Sequence, residues 1–242
     1  MELSTLIYCA LALSAGCFVQ STVGFGMAIV AAPVVYFFEP RFVPGVVTFV
    51  GLVLALINMW QYRQQISFQG MSAAFIGRVP GTMVAGWILL YISAEHLALI
   101  LGGGVLLAVL ISLMKVRFKP TPKALFIAGF TSGLMGTTTS IGGPPMALVL
   151  QHAEAGKLRA NLALYFAFSC VLSLIALSAT DHFSVWHLKY ALLILPAPII
   201  TTLLAYKVQH LVKTEWLRYA LLVLCTFAGM AAMWQGLSPM WA

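Results

Sequence analysis

Residues 132–145 read Ser-Gly-Leu-Met-Gly-Thr-Thr-Thr-Ser-Ile-Gly-Gly-Pro-Pro. Hydroxyls at this density supply neutral hydrogen-bond donors. Glycines let a ligand approach the backbone, and prolines suit the first turn of a new helix. A helix starting there offers free N–H groups and the positive end of its dipole, both of which attract anions. The chemistry implied is anion binding, with Thr138, Thr139, Ser140, Gly142, Gly143 and Pro144 as candidates. A second run of the same character spans residues 20–26, with candidates Gln20, Ser21, Thr22, Gly24 and Gly26. Each residue alone reads equally well as helix packing, which small residues serve throughout membranes. Two clusters at matched positions of a repeat point instead to a site.

The elements holding these clusters are apolar. Of the 242 residues, 62% are hydrophobic and 8% charged, whereas soluble domains carry about a quarter charged residues. Several runs reach the ~20 apolar residues needed to cross a hydrocarbon core. The chain therefore reads as an all-α, polytopic membrane protein with the lipid bilayer as its surroundings. A broken backbone at membrane depth survives only against protein or a water-filled cavity, which makes both clusters site candidates. The 13 Lys and Arg against 6 Asp and Glu lie mostly in short loops. That placement is a topology signal rather than a nucleic-acid surface. Cys9, Cys17, Cys170 and Cys225 are scattered singly, without CxxC spacing, and read as packing residues. The first apolar run shows no small-residue cleavage site, so no removable leader is expected.

The segments repeat in order. An apolar run at 3–20 and a shorter one at 27–38 precede long runs 42–60, 71–91 and 97–114. After the basic, proline-containing linker 115–123, short runs 124–135 and 146–152 precede long runs 160–178, 190–206 and 216–235. Gly16 and Gly133, Gly26 and Gly143, Phe49 and Phe166, and Ser67 and Ser184 are each 117 positions apart. The expected organisation is a first transmembrane repeat at 1–114, a cytoplasmic linker at 115–123 and a second repeat at 124–242. Ten of the 13 basic residues fall in the loops at 61–70, 115–123, 153–159 and 207–218, and those loops face the cytoplasm by the positive-inside rule. The two short segments of the second half then enter and leave on one side. Each repeat becomes a broken or re-entrant hairpin plus three spans, and the repeats are inverted, with hairpin tips meeting near the midplane.

Arg78, in Gly77-Arg78-Val79-Pro80-Gly81, is the one basic residue inside a presumed span. It reads either as a ligand for an oxyanion or as an arginine snorkelling to the interface. Position 195, at the repeat offset, is Leu195. The acids Glu2, Glu39, Glu95, Glu154, Asp181 and Glu215 all lie in loops or at segment ends, which argues against a buried carboxylate relay. His152 reads as an interfacial residue or a titrating group. Trp186, Trp216, Trp234 and Trp241 read as an interfacial belt, and Asn58 and Asn161 as path-lining or cross-linking residues.

The chain resembles the sulfite exporter TauE/SafE family of membrane transporters over nearly its full length. The resemblance rests on Gly24-Phe25-Gly26 followed by an apolar segment with Pro33. In the second half it rests on Ser140-Ile141-Gly142-Gly143-Pro144-Pro145 with Arg159-Ala160-Asn161 downstream. Many members are richer in glycine where this chain has Gly-Phe-Gly. The resemblance implies a secondary transporter of sulfite, organosulfonates or other small sulfur-containing anions, multi-pass in the bacterial cytoplasmic (inner) membrane. It implies no cofactor, and a homodimer is an admissible assembly. A carboxylate carrier is the alternative. An intramembrane enzyme ranks lower, because no HxxE, CxxC or mid-span acid pair is present. No metal site is expected, because no ligand cluster lies near the tips.

Overall fold

The computed structural model describes residues 2–68, 71–113, 120–151 and 153–209, with residues 223, 226, 227, 229–231, 233, 234, 236 and 237. His152, Lys213, Glu215, Trp216, Arg218, Cys225, Trp241 and residues 115–119 of the linker lie outside the described residues. Among those described there is no strand, and every regular element is a helix.

Helix α1 (Leu3–Val23) stops at Gly24, whose φ of 103° returns its N–H to the Gln20 carbonyl at 2.7 Å. Gly26, at φ 114°, turns the chain back into α2 (Met27–Phe38). Both conformations are left-handed, which is why glycines stand there. After a 3-10 turn at Pro40–Phe42 come α3 (Gly45–Gln61), α4 (Ser72–Tyr91) and α5 (Ala94–Leu113). The second half opens with α6 (Pro122–Thr139), capped by the Thr121 hydroxyl accepting from the Ala124 N–H at 3.2 Å. Ser140 ends it in the left-handed region at φ 65°, and Gly142 precedes α7 (Gly143–Leu150). Then follow α8 (Ala155–Ala179), α9 (Val185–Ile194) and α10 (Pro196–Val208). Gly24 and Ser140 thus both end their helices in the left-handed region, 116 positions apart, whereas before α2 and α7 the left-handed Gly26 is matched by Gly142 at φ −96°.

Three expected boundaries differ. The helix expected to end at 135 continues to Thr139, because the threonine hydroxyls bond backward instead of breaking it. Thr138 Oγ1 donates to Leu134 O at 2.9 Å and Thr139 Oγ1 to Met135 O at 2.7 Å. Likewise α1 runs on through Ser21 and Thr22. The first arm of each hairpin is therefore longer than expected, and α1 reaches the length of a full span. The run 190–206 is two helices bent by 45° at Pro196, where a proline removes a backbone donor. α1, α4 and α8 are each long and apolar enough to cross a membrane, with α9–α10 as a fourth if the bent pair is one span.

Helix α4 shows how the chain is turned inside out relative to a soluble protein. Its buried face is small or polar, with Ala74, Gly77, Arg78, Gly81, Thr82 and Ala85. Its exposed face carries Ile76, Met83, Trp87 and Leu90. Large apolar side chains facing outward suit lipid, and small ones facing inward allow close helix contact. Gly77 and Gly81 on α4 lie against the Phe126 and Phe130 carbonyls of α6, and Gly129 of α6 lies against the Ala74 carbonyl. A Cβ at Gly133 would stand 2.7 Å from the Arg78 carbonyl. Two Gly-xxx-Gly faces therefore press the parallel helices α4 and α6 together, backbone to backbone. Gly16 does the same for α1 against Met27 of α2.

The two ends of the bundle gather different loops. At one end Arg41, Ser93, Asp181, His182 and Trp186 line a common vestibule. At the other, the Ser67 N–H donates to Asn161 Oδ1 at 2.9 Å, and Tyr62 OH and Arg159 Nη1 both donate to Gln209 Oε1, at 3.3 and 3.0 Å.

Candidate functional site

Both helix breaks border one small cavity of about 50 Å³. That is room for a few water-sized groups. The breaks contribute Gln20 and Gly26 from the first half and Ser140, Gly142 and Gly143 from the second. Thr48 of α3, Arg78 of α4, and Ser169, Cys170 and Ser173 of α8 complete its polar side. Met27, Ile29, Val47 and Phe166 form the apolar wall.

Arg78 is 2% exposed, so the guanidinium is buried in the protein and does not reach an aqueous interface. The snorkelling alternative is thereby set aside. Its Nη1 donates to Ser132 O, and to Ser132 Oγ at 3.1 Å. Its Nη2 donates to Ser173 Oγ at 2.6 Å and to Ser169 O at 3.3 Å. Ser173 Oγ is in turn 2.8 Å from Thr137 Oγ1, which donates to Thr82 Oγ1 at 3.5 Å. Hydroxyls and carbonyls thus orient the fork without neutralising it. Among the described residues no Asp or Glu pairs with Arg78, and the ion pairs present are Arg41–Glu39 and Lys157–Glu154. Two polar groups of this wall, Arg78 Nε and Ser169 Oγ, are buried without a hydrogen-bond partner. A buried cation with one donor unmatched and no counter-charge is costly unless something anionic meets it.

The twelve candidates divide evenly. Gln20, Gly26, Arg78, Ser140, Gly142 and Gly143 line the cavity. Ser21, Thr22, Gly24, Thr138, Thr139 and Pro144 do not. The hydroxyls of Thr22, Thr138 and Thr139 are spent on carbonyls of their own helices. Ser21 is buried with its Oγ unpartnered, and Pro144 is buried in the first turn of α7. Gly24 faces Arg159, whose Cγ would stand 3.2 Å from a Cβ there. Arg159 Nη2 donates to Thr22 O at 2.6 Å, pinning the end of α1.

The free N–H groups of the helix starts are fewer than the sequence suggests. Gln20 Oε1 already accepts from the Met27 N–H at 3.1 Å. Pro144 and Pro145 remove two N–H groups at the start of α7. The positive character of the cavity therefore rests on Arg78 more than on helix ends.

Thr48, Ser132, Ser169 and Ser173 were missed as candidates. Their cues are local but faint: Thr48 is the one hydroxyl in residues 42–57, and Ser169 and Ser173 stand four apart on one face of α8. Nothing local says that they meet Arg78, more than 90 residues away from both serines.

Among the described residues, helices with apolar outer faces, interrupted around a buried arginine, form the architecture of a multi-pass membrane protein. The family model "Sulfite exporter TauE/SafE" matches residues 8–232. The chain belongs to that family, a family of transporters. It is 26% identical over 218 residues to a Cupriavidus necator protein named "Probable sulfite/organosulfonate exporter TauE", covering 79% of each chain. No solved structure gives a significant match.

Proposed function

We propose that the protein is a secondary transporter that moves a small sulfur-containing anion, sulfite or an organosulfonate, through the cavity beside Arg78. The observation that carries this is the buried guanidinium without a carboxylate, its Nε unmatched beside the unmatched Ser169 hydroxyl. Sulfite and sulfonates present trigonal oxygens on a compact head, which guanidinium and hydroxyl donors satisfy. The apolar wall of Met27, Ile29 and Phe166 suits a short organic tail. The matched breaks after α1 and α6 support two repeats of inverted topology, 1–114 and 124–242, joined by a basic linker. Basic residues gathered at the Arg63–Arg159 end support a cytoplasmic placement of that end in a bacterial inner membrane.

The test is uptake into proteoliposomes of sulfite, methanesulfonate, isethionate, sulfate and acetate, by the parent and by Arg78→Gln. Sulfite or a sulfonate should be carried. Arg78→Gln should raise half-saturation at least about tenfold, the loss expected for a charge-assisted hydrogen bond. Preference for acetate would establish a carboxylate carrier. Equal uptake by the parent and the variant would remove Arg78 from the site.

A further inference from the structure

A second, larger cavity lies apart from the one beside Arg78. It is a vestibule of about 470 Å³ at the Arg41 end, lined among others by Tyr36, Arg41, Val43, Ser93, Asp181 and Trp186. Arg41 is fixed in its rim: Nε donates to Glu39 Oε1 at 2.7 Å, Nη2 to Oε2 at 3.0 Å, and the guanidinium lies 4.6 Å from the Trp186 ring centroid. The hydrogen-bonded guanidinium holds the Glu39 carboxyl below its ordinary range.

One short stretch of chain, residues 43–48, walls both vestibule and cavity. Val43 lines the vestibule, Thr48 lines the cavity, and Pro44 stands between them in sequence. Ser140, on the cavity side, closes the wall from the other half of the chain. Its Oγ is 3.0 Å from Pro44 O and 2.9 Å from Thr48 Oγ1. The hydroxyl can donate to the Pro44 carbonyl while accepting from Thr48. Ser140 is held for this in the left-handed region at φ 65°, where L side chains are disfavoured. A glycine would sit there with less strain but without the hydroxyl, so relaxed backbone and closed wall cannot both be had at this position.

We propose that Ser140, Thr48 and the Pro44 carbonyl form the latch of a gate between vestibule and cavity, and that the vestibule is the access route at this end. The proposal rests on the transport reading above. It adds which contacts must part for the cavity to open. They join α3 of the first half to the tip of the second, so a movement of the halves past each other breaks them. The opposite end is closed by different chemistry, with Arg159 holding Thr22 O and Gln209.

Cys170 lines the cavity and can report the latch. In purified full-length protein with Cys9, Cys17 and Cys225 replaced by alanine, Cys170 is labelled with the charged reagent (2-sulfonatoethyl) methanethiosulfonate. Thr48→Val and Ser140→Gly should each speed labelling about fivefold, the factor expected from a lost hydrogen bond. Ser140→Gly should do so with no fall in melting temperature, since it also relieves the left-handed strain. A merely structural serine would give a lower melting temperature and unchanged labelling, and that result overturns the latch. Methanesulfonate should protect Cys170 in the parent. Protection without faster labelling in the variants sinks the latch and leaves the site standing. Faster labelling without protection sinks the site and leaves the latch.

Discussion

At the scale of the residue, Arg78 is expensive to keep. Its charge is buried without a carboxylate, and one of its donors has no partner. Removing it leaves little stranded. Ser132 Oγ keeps its bond to Gly142 O at 2.7 Å, Ser173 Oγ keeps Thr137, and the two carbonyls belong to helix interiors. Arg78→Met, which fills similar volume without charge, should therefore raise stability while abolishing transport. A gain of about 1 kcal/mol would lift the melting temperature by about 2–4 °C for a chain of this size. Thermal unfolding in detergent checks this, and a large drop would mean that the guanidinium is there for the fold. Little of this was legible in the sequence. Arg78 stood out as a charge in an oily run, but the serines that orient it come from α6 and α8, by packing that no local pattern encodes.

At the scale of the element, the α4–α6 crossing is the contact most intolerant of change. Gly77→Ala or Gly129→Ala would drive a methyl group into a facing carbonyl, and strain of this kind costs about 1–3 kcal/mol. Gly103 of α5 has nothing within 4 Å of an added Cβ. Gly103→Ala should instead stabilise, by up to about 1 kcal/mol of helix propensity. Melting temperatures of the three variants decide the matter, and equal shifts would refute the close crossing. The helix breaks were legible because Gly24, Gly26, Gly142 and the following prolines punctuate the chain. The length of α6 was not, because its threonines satisfy themselves within the helix. Nor was the bend at Pro196, since apolar runs on either side of it look continuous.

At the scale of the whole molecule, the bundle has two chemically distinct ends, and the orientation proposed here can be checked directly. In a cysteine-free background, a cysteine at Thr180 should be labelled by an impermeant reagent in intact cells, and one at Thr121 should be labelled only after lysis. The reverse pattern would invert the orientation and put the vestibule inside. Membrane class and the segment order were evident from composition and run length alone. The meeting of the two breaks was expected too, but which of their residues line the common cavity was not, because that depends on how the halves dock. That docking is unequal in two respects: Arg78 has Leu195 at the repeat offset, and α4 is a single helix where α9–α10 is bent. On the inverted-repeat transport reading proposed above, a bound anion would find its charged partner on one side of the cavity only. On that reading the inward-open and outward-open states would not be equivalent by symmetry, and the same ligand would meet a different affinity from each face of the membrane. Such a carrier works at unequal rates and half-saturations from its two faces, while the gradient alone sets the net direction.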